Sequence, residues 1–327
     1  MTKHIRLLTT LLFSLLIANI AMAQWETVNI REKQYVTARS LKSFYAFKTL
    51  TRSGSKATLE NTAVKMEIAA NSQECLMNSV KFILSYPVVQ HSGRLLISRI
   101  DLSKLIDPVL RPSYIQGAGN FRTVILDPGH GGKDAGAVNQ YGTEAGYNLI
   151  VGRLVRDILK RQGYNVIMTR ESNRYLSLQQ RVAFANRYQN AIFISIHFNA
   201  GGRRQARGIE TFTLSPVGIA HYGRSVKASD HRERNGNHQD SANIALATAI
   251  HGRTLQRTRS ASIPDRGIKR ARYSVLTSVK HPAILIEGGF LSHPVEARII
   301  HSSSYQSSVA MGIAEGVMRY RSALTKR

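Results

Sequence analysis

The chain has 327 residues, 43% of them hydrophobic, and a formal charge of +25. Its apolar share is ordinary for a globular protein, so it can bury a full core, and its length suggests about two domains. A single cysteine, Cys75, excludes an intramolecular disulfide, and the large positive charge predicts attraction to polyanions without saying which ones.

Residues 1–23 carry Lys3 and Arg6, an apolar run over 11–20, and Ala21-Met22-Ala23. A charged start, an apolar stretch and an A-x-A site read as a signal peptide. The stretch is short for a span, so no integral membrane segment is expected after cleavage. The mature chain is expected outside the cytoplasm, in the periplasm, the cell envelope or beyond, and as a monomer. The polyanions at hand there are cell-wall polymers, lipid headgroups and peptide carboxylates; nucleic acid is not an expected partner.

Residues 24–118 read as a small β-rich α+β domain. Short strands are expected over 34–37, 80–84 and 95–98, broken by a polar stretch at 52–57. Pro108 and Pro112, then Gly117 and Gly119, mark a boundary before a second domain over 119–327. From residue 122 onward strands and helices alternate. Strands are expected over 123–126, 165–168, 191–196, 209–214, 273–278 and 283–286. Helices are expected over 144–162, 178–188 and 241–255, with another at the C-terminus, and a mobile polar loop over 216–238. Alternation of this kind implies an α/β fold: an open, twisted, mostly parallel sheet with helices on both faces.

Four residues stand out by position. His130 follows the first strand of this second domain, in Asp127-Pro-Gly-His-Gly-Gly-Lys-Asp134. His197 ends an apolar strand, Glu287 ends another, and Glu144 opens the first long helix. Ligands of open α/β sheets bind at the C-terminal ends of strands. The glycine-rich loop does not match a phosphate loop, because Asp134 stands where the last glycine would be and no Ser or Thr follows Lys133. Its flanking Asp127 and Asp134 suit a cation. Zinc held by two histidines and a glutamate, with water in the fourth position, is a known catalytic arrangement. Glu287 is then the spare carboxylate, placed to accept and return a proton.

Several motifs in order resemble one family: 124–137 around His130, Glu144, Met168-Thr-Arg170, 178–186, Ser195-Ile-His-Phe-Asn-Ala200, Asp265-Arg-Gly-Ile-Lys-Arg270 and Ile286-Glu-Gly-Gly-Phe-Leu-Ser292. Over 122–322 the chain resembles the zinc-dependent N-acetylmuramoyl-L-alanine amidases of the amidase_3 type. The resemblance implies one Zn2+ ion on His130, Glu144 and His197, with Glu287 catalytic. It implies hydrolysis of the amide joining the lactyl group of N-acetylmuramic acid to the stem peptide's L-alanine, in wall remodelling, daughter-cell separation or turnover. Peptidoglycan is then the substrate, and a protein activator is a candidate partner. Asn199 and Asp127 are expected to orient ligands, and Arg266, Lys269 and Arg270 to grip substrate carboxylates. Two departures from the family pattern are His293, where Asn is common, and the pair Gly288-Gly289. The phrases 35–39 and 101–108 resemble the domains called copper amine oxidase N-terminal-like, for which wall or partner binding is expected and no copper site. The alternatives are a zinc peptidase cutting within the stem peptide and a non-catalytic basic wall-binding protein.

Overall fold

The computed structural model describes residues 25–116, 120–202 and 205–325. The expected signal peptide and the expected boundary at 118/119 lie outside those residues. Two antiparallel sheets form over residues 27–98. One pairs Thr27–Ile30, Lys33–Thr37, Arg94–Ser98 and Val89–His91 in that order; the other is a meander of Thr49–Ser53, Lys56–Glu60, Lys65–Ala69, Glu74–Met77 and Val80–Ile83.

The larger unit alternates as expected. In chain order it holds β1 (Thr123–Pro128), α1 (Glu144–Arg161), β2 (Asn165–Met168), α2 (Leu178–Ala185), β3 (Ala191–Asn199) and β4 (Ile209–Leu214). There follow α3 (Asp240–Arg257), β5 (Asp265–Ala271), α4 (Ser274–Ser278), β6 (Ala283–Phe290), α5 (Pro294–His301) and α6 (Ser303–Thr325). The spatial order is β2-β1-β3-β6-β4-β5. The first four strands are parallel, β4 runs antiparallel to β6, and β5 is parallel to β4. The sheet does not stop there. Val80–Ile83 joins the free edge of β5 through Ile268 and Phe82, so the meander continues the same sheet, which reaches eleven strands among the described residues. An exposed β5 edge would be an aggregation site, and the meander covers it.

The period of two along each strand sorts side chains between two cores. Val124, Leu126, Ile194, Ile196, Ile284 and Ile286 face α1, α3 and α6, in a core continuous with that of the N-terminal unit. Ile125, Phe193 and Leu285 face the other way, toward the short helices α2 and α4. That second layer is thin, and the site opens beside it.

Three expectations are corrected. The strand expected over 273–278 is a short helix, α4; the neighbouring strand slot belongs to β5, whose charges hid its pattern. The helix expected to 188 ends at Ala185, because the Asn186 side chain turns to Ser278 O and Lys280 N. The 216–238 segment is not a free loop. Asp230 is buried within it, taking both Arg224 donors at 2.7 and 2.8 Å and Arg272 Nε at 2.9 Å.

Candidate active site

β1 delivers the chain into Gly129-His130. His130 adopts φ +59°, in the left-handed region that a residue with a side chain enters only under constraint. Two buried guanidinium groups supply that constraint. Arg181 donates to Pro128 O at 2.8 Å, His130 O at 2.7 Å and Asp127 Oδ1 at 2.7 Å. Arg170 donates to Pro128 O at 2.9 Å, and to Gly129 O and Ala145 O at 2.8 Å each. Burial, with Arg181 beside it, pushes Arg170 down to about 10. Gly129 cannot carry a side chain, since a Cβ there would lie 2.1 Å from the His197 ring.

Thr143 caps α1 by accepting from Gly146 N at 3.2 Å, which points Glu144 into the sheet's end. Glu144 Oε1 lies 3.1 Å from His130 Nε2 and 2.9 Å from His197 Nδ1. Its other oxygen accepts from Ala137 N at 3.0 Å. Burial disfavours the Glu144 charge, but the two imidazoles outweigh it and hold the carboxyl well below the usual range. His130 Nδ1 faces Asp134 Oδ2 at 2.8 Å. One ligand atom from each of His130, Glu144 and His197 lies within 4.8 Å of the others.

Glu287 stands opposite His197 in the β3–β6 register and opposite Glu210 in the β4–β6 register. It is 8% exposed, and among the described residues its Oε2 has no hydrogen-bond partner. Burial, then the nearby Glu144 and Glu210 carboxylates, raise it well above its ordinary 4.5. Burial also pushes the Tyr273 phenol to about 12, with help from Glu287. His130, His197 and Glu287 line one cleft of about 380 Å³, walled by Tyr175, Leu178, Tyr273 and Val275.

The residues expected to hold substrate do not line this cleft. Asn199 Nδ2 and Arg266 Nε each donate to Glu210 at 2.7 Å, and Lys269 is paired with the same carboxylate. Lys269 is 3% exposed and Arg270 5%; Arg270 donates to Thr213 Oγ1 at 2.8 Å and to Lys104 O. β5 carries Lys269 and Arg270 inward, away from this cleft. Asp127 likewise takes Thr169, Arg181 and Ser195 rather than a ligand histidine. Among the described residues the three loop histidines, His221, His231 and His238, form no metal group.

Glu210, Arg170 and Arg181 received no role from the sequence. Glu210 interrupts the apolar run of β4 as Glu287 interrupts β6. Arg181 sits on the inward stripe of α2 with Val182 and Ala185. Both signals were visible.

A family model for N-acetylmuramoyl-L-alanine amidase, Amidase_3, matches residues 124–319. The chain belongs to this family. YrvJ of Bacillus subtilis (strain 168) is 35% identical over 205 residues, covering 62% of this chain but only 34% of YrvJ. The catalytic domain of CwlV, an N-acetylmuramoyl-L-alanine amidase from Bacillus (Paenibacillus) polymyxa var. colistinus, superposes with a TM-score of 0.51 at 30% identity, covering 61% of this chain and 98% of that one. The CwlD amidase of Clostridioides difficile, solved in complex with the GerS lipoprotein, superposes with a TM-score of 0.51 at 25% identity, covering 62% of this chain and 98% of CwlD. The family match spans β1 through most of α6, and so includes His130, Glu144, His197 and Glu287.

Proposed function

We propose that the protein is an exported zinc hydrolase that cleaves the amide between the lactyl group of N-acetylmuramic acid and the L-alanine of the peptidoglycan stem peptide. The convergence of His130, Glu144 and His197 beside the unpartnered Glu287 carries this reading.

The donor set fits zinc: two imidazole nitrogens and one carboxylate oxygen. The spacings of 3.1 and 2.9 Å are near the ~3.3 Å between neighbouring ligands at a tetrahedral zinc. Asp134 and Ala137 N hold the remaining atoms of His130 and Glu144, as outer partners of metal ligands do. When bound there, zinc would lower the pKa of a coordinated water to ~7 and polarise the amide carbonyl. Glu287 then takes the proton of the attacking water and returns it to the leaving nitrogen. Among the described residues no hydrogen-bond partner competes for its Oε2. The apolar walls of Tyr273 and Val275 limit water around it.

Residues 1–23 would direct the chain to the periplasm or cell envelope. The N-terminal unit, 24–118, would contact the wall or a partner protein, and CwlD's complex with the GerS lipoprotein supports looking for a protein partner. The test is a mass spectrum of what the mature protein releases from purified peptidoglycan, with zinc, with chelator, and as Glu287→Gln. Free stem peptides beginning at L-alanine, absent from both controls, are the expected result. Fragments cut inside the stem would replace this reading with the peptidase, and wall binding without release would replace it with a binding protein.

A further inference from the structure

A second cavity lies apart from the candidate active site. It has a volume of about 580 Å³ and lies between the end of the meander and the 219–226 segment. Ile83, Leu84, Ile219 and Val226 give it apolar walls. Arg270, Arg224 and His221 also line it, and no Asp or Glu does.

The three basic residues differ in what balances them. Arg224 is held by both oxygens of Asp230. His221 accepts from Arg272 N at 3.0 Å, and burial pushes its imidazole down, so it stays neutral. Arg270 is 5% exposed, and among the described residues no carboxylate lies within 4.0 Å of it. The acids that act on it from farther off are already engaged: Asp240 pairs with Lys104, and Asp101 takes Ser85 N, Tyr86 N and Ser98. Its donors go to Thr213 Oγ1, Leu214 O and Lys104 O, and Nε has no partner. A buried guanidinium without a counter-ion is costly, and a carboxylate in a fork geometry is its natural complement.

We propose that this cavity binds a carboxylate attached to a small apolar group, such as the free C-terminus of a short peptide, with Arg270 as its anchor. The cavity is large enough for one or two residues, and the aliphatic walls suit a small side chain next to the carboxylate. Its position, walled by both units of the chain, makes it a recognition site separate from the cleft holding His130, His197 and Glu287. The 219–224 segment connects the two, because His221 also packs edge-on against Tyr273 of that cleft at 5.2 Å between ring centroids. The proposal does not rest on zinc or on amide hydrolysis, and stands if that reading fails.

The test is calorimetric titration of the full mature chain with N-acetyl-alanyl-alanine, with the C-terminal amide of the same dipeptide, and with inorganic phosphate. The acid should bind, with the amide at least about tenfold weaker, the factor a charge-assisted hydrogen bond contributes. Arg270→Gln should lose the acid, and because that residue is buried, a second variant guards against misfolding. Ser225→Glu lies on the exposed rim of the cavity and should weaken the acid at least about tenfold with the melting temperature unchanged. Equal affinity for acid and amide, or a Ser225→Glu chain that binds as the parent does, would overturn the proposal. Binding of phosphate in preference to the acid would also overturn it, by assigning the cavity to a different anion.

Discussion

His130 has its ring in the candidate metal group and its backbone in a conformation it would not choose. The strain is held by Arg181 and Arg170, whose guanidinium groups bind the carbonyls on either side of it. Arg181→Met would leave Asp127 buried without its cation, and we expect a loss of about 3–5 kcal/mol in urea unfolding, as for other broken buried pairs. Asp134 holds the second nitrogen of His130, so Asp134→Asn should lower metal affinity about 10- to 100-fold, read by competition with a chromophoric chelator. Glu287 is the reverse case, a group whose setting opposes its charge. Its pKa in the folded chain lies above the ordinary 4.5. Between those two values the folded state holds a proton that the unfolded state has released, so this residue lowers stability as pH rises through the window. In the metal-free protein, Glu287→Gln should therefore stabilise the chain at pH 7, with the gain vanishing below about pH 4. An equal effect at both pH values in urea unfolding would show that the carboxylate is not held above its ordinary range.

The elements place these residues with little freedom. His197 and Ser195, Glu287 and Leu285, and Asp127 share the sheet face that α2 and α4 cover only partly. Their spacing of two follows from the pleat, and a one-residue slip in β3 or β6 would bury apolar neighbours in the cleft instead. The C-terminal end of β6 shows how close the fit is. A Cβ on Gly288 would meet the Phe198 ring at 2.8 Å, so the small residue there is required by packing beside Glu287. At the start of α5, His293 does cap the helix: its Nδ1 accepts from Glu296 N at 3.3 Å, and Pro294 follows as the first helical residue. The bond is long for a cap, and Asn is a stronger cap. His293→Asn should stabilise the chain by about 0.5 kcal/mol in thermal unfolding without changing activity.

At the scale of the whole molecule, the N-terminal unit is part of the larger unit's sheet rather than an appendage. Phe82 meets Ile268 across the joint, and the apolar core on that side runs through both units. A chain of residues 120–325 alone would expose the β5 edge and the apolar residues beneath it. We expect it to aggregate or self-associate, measured by light scattering, where the catalytic domain of CwlV was solved by itself. Phe82→Ala in the full chain should cost about 3–5 kcal/mol and shift one cooperative transition rather than split it into two.

The candidate site was legible in the sequence because its chemistry is concentrated where strand and helix signals end: His130, His197 and Glu287 each follow a short apolar run, and Glu144 opens an amphipathic helix. Periodicity of that kind survives in sequence because it records which face of each element meets the core. It fixed α1, β3, β4 and the mostly parallel order of the sheet. What it could not carry was pairing between distant segments. Lys269 and Arg270 look like a basic surface in sequence; only the fold sets Lys269 against Glu210 and leaves Arg270 buried with no counter-ion among the described residues, because charge compensation depends on which strand lies alongside. The same holds for the joint between the two units, where the pairing of Ile268 in β5 with Phe82 of the meander makes one sheet of two patterns. Local spacing determined the elements and the chemistry at their ends, and long-range packing decided which charges face the ligand and which face each other.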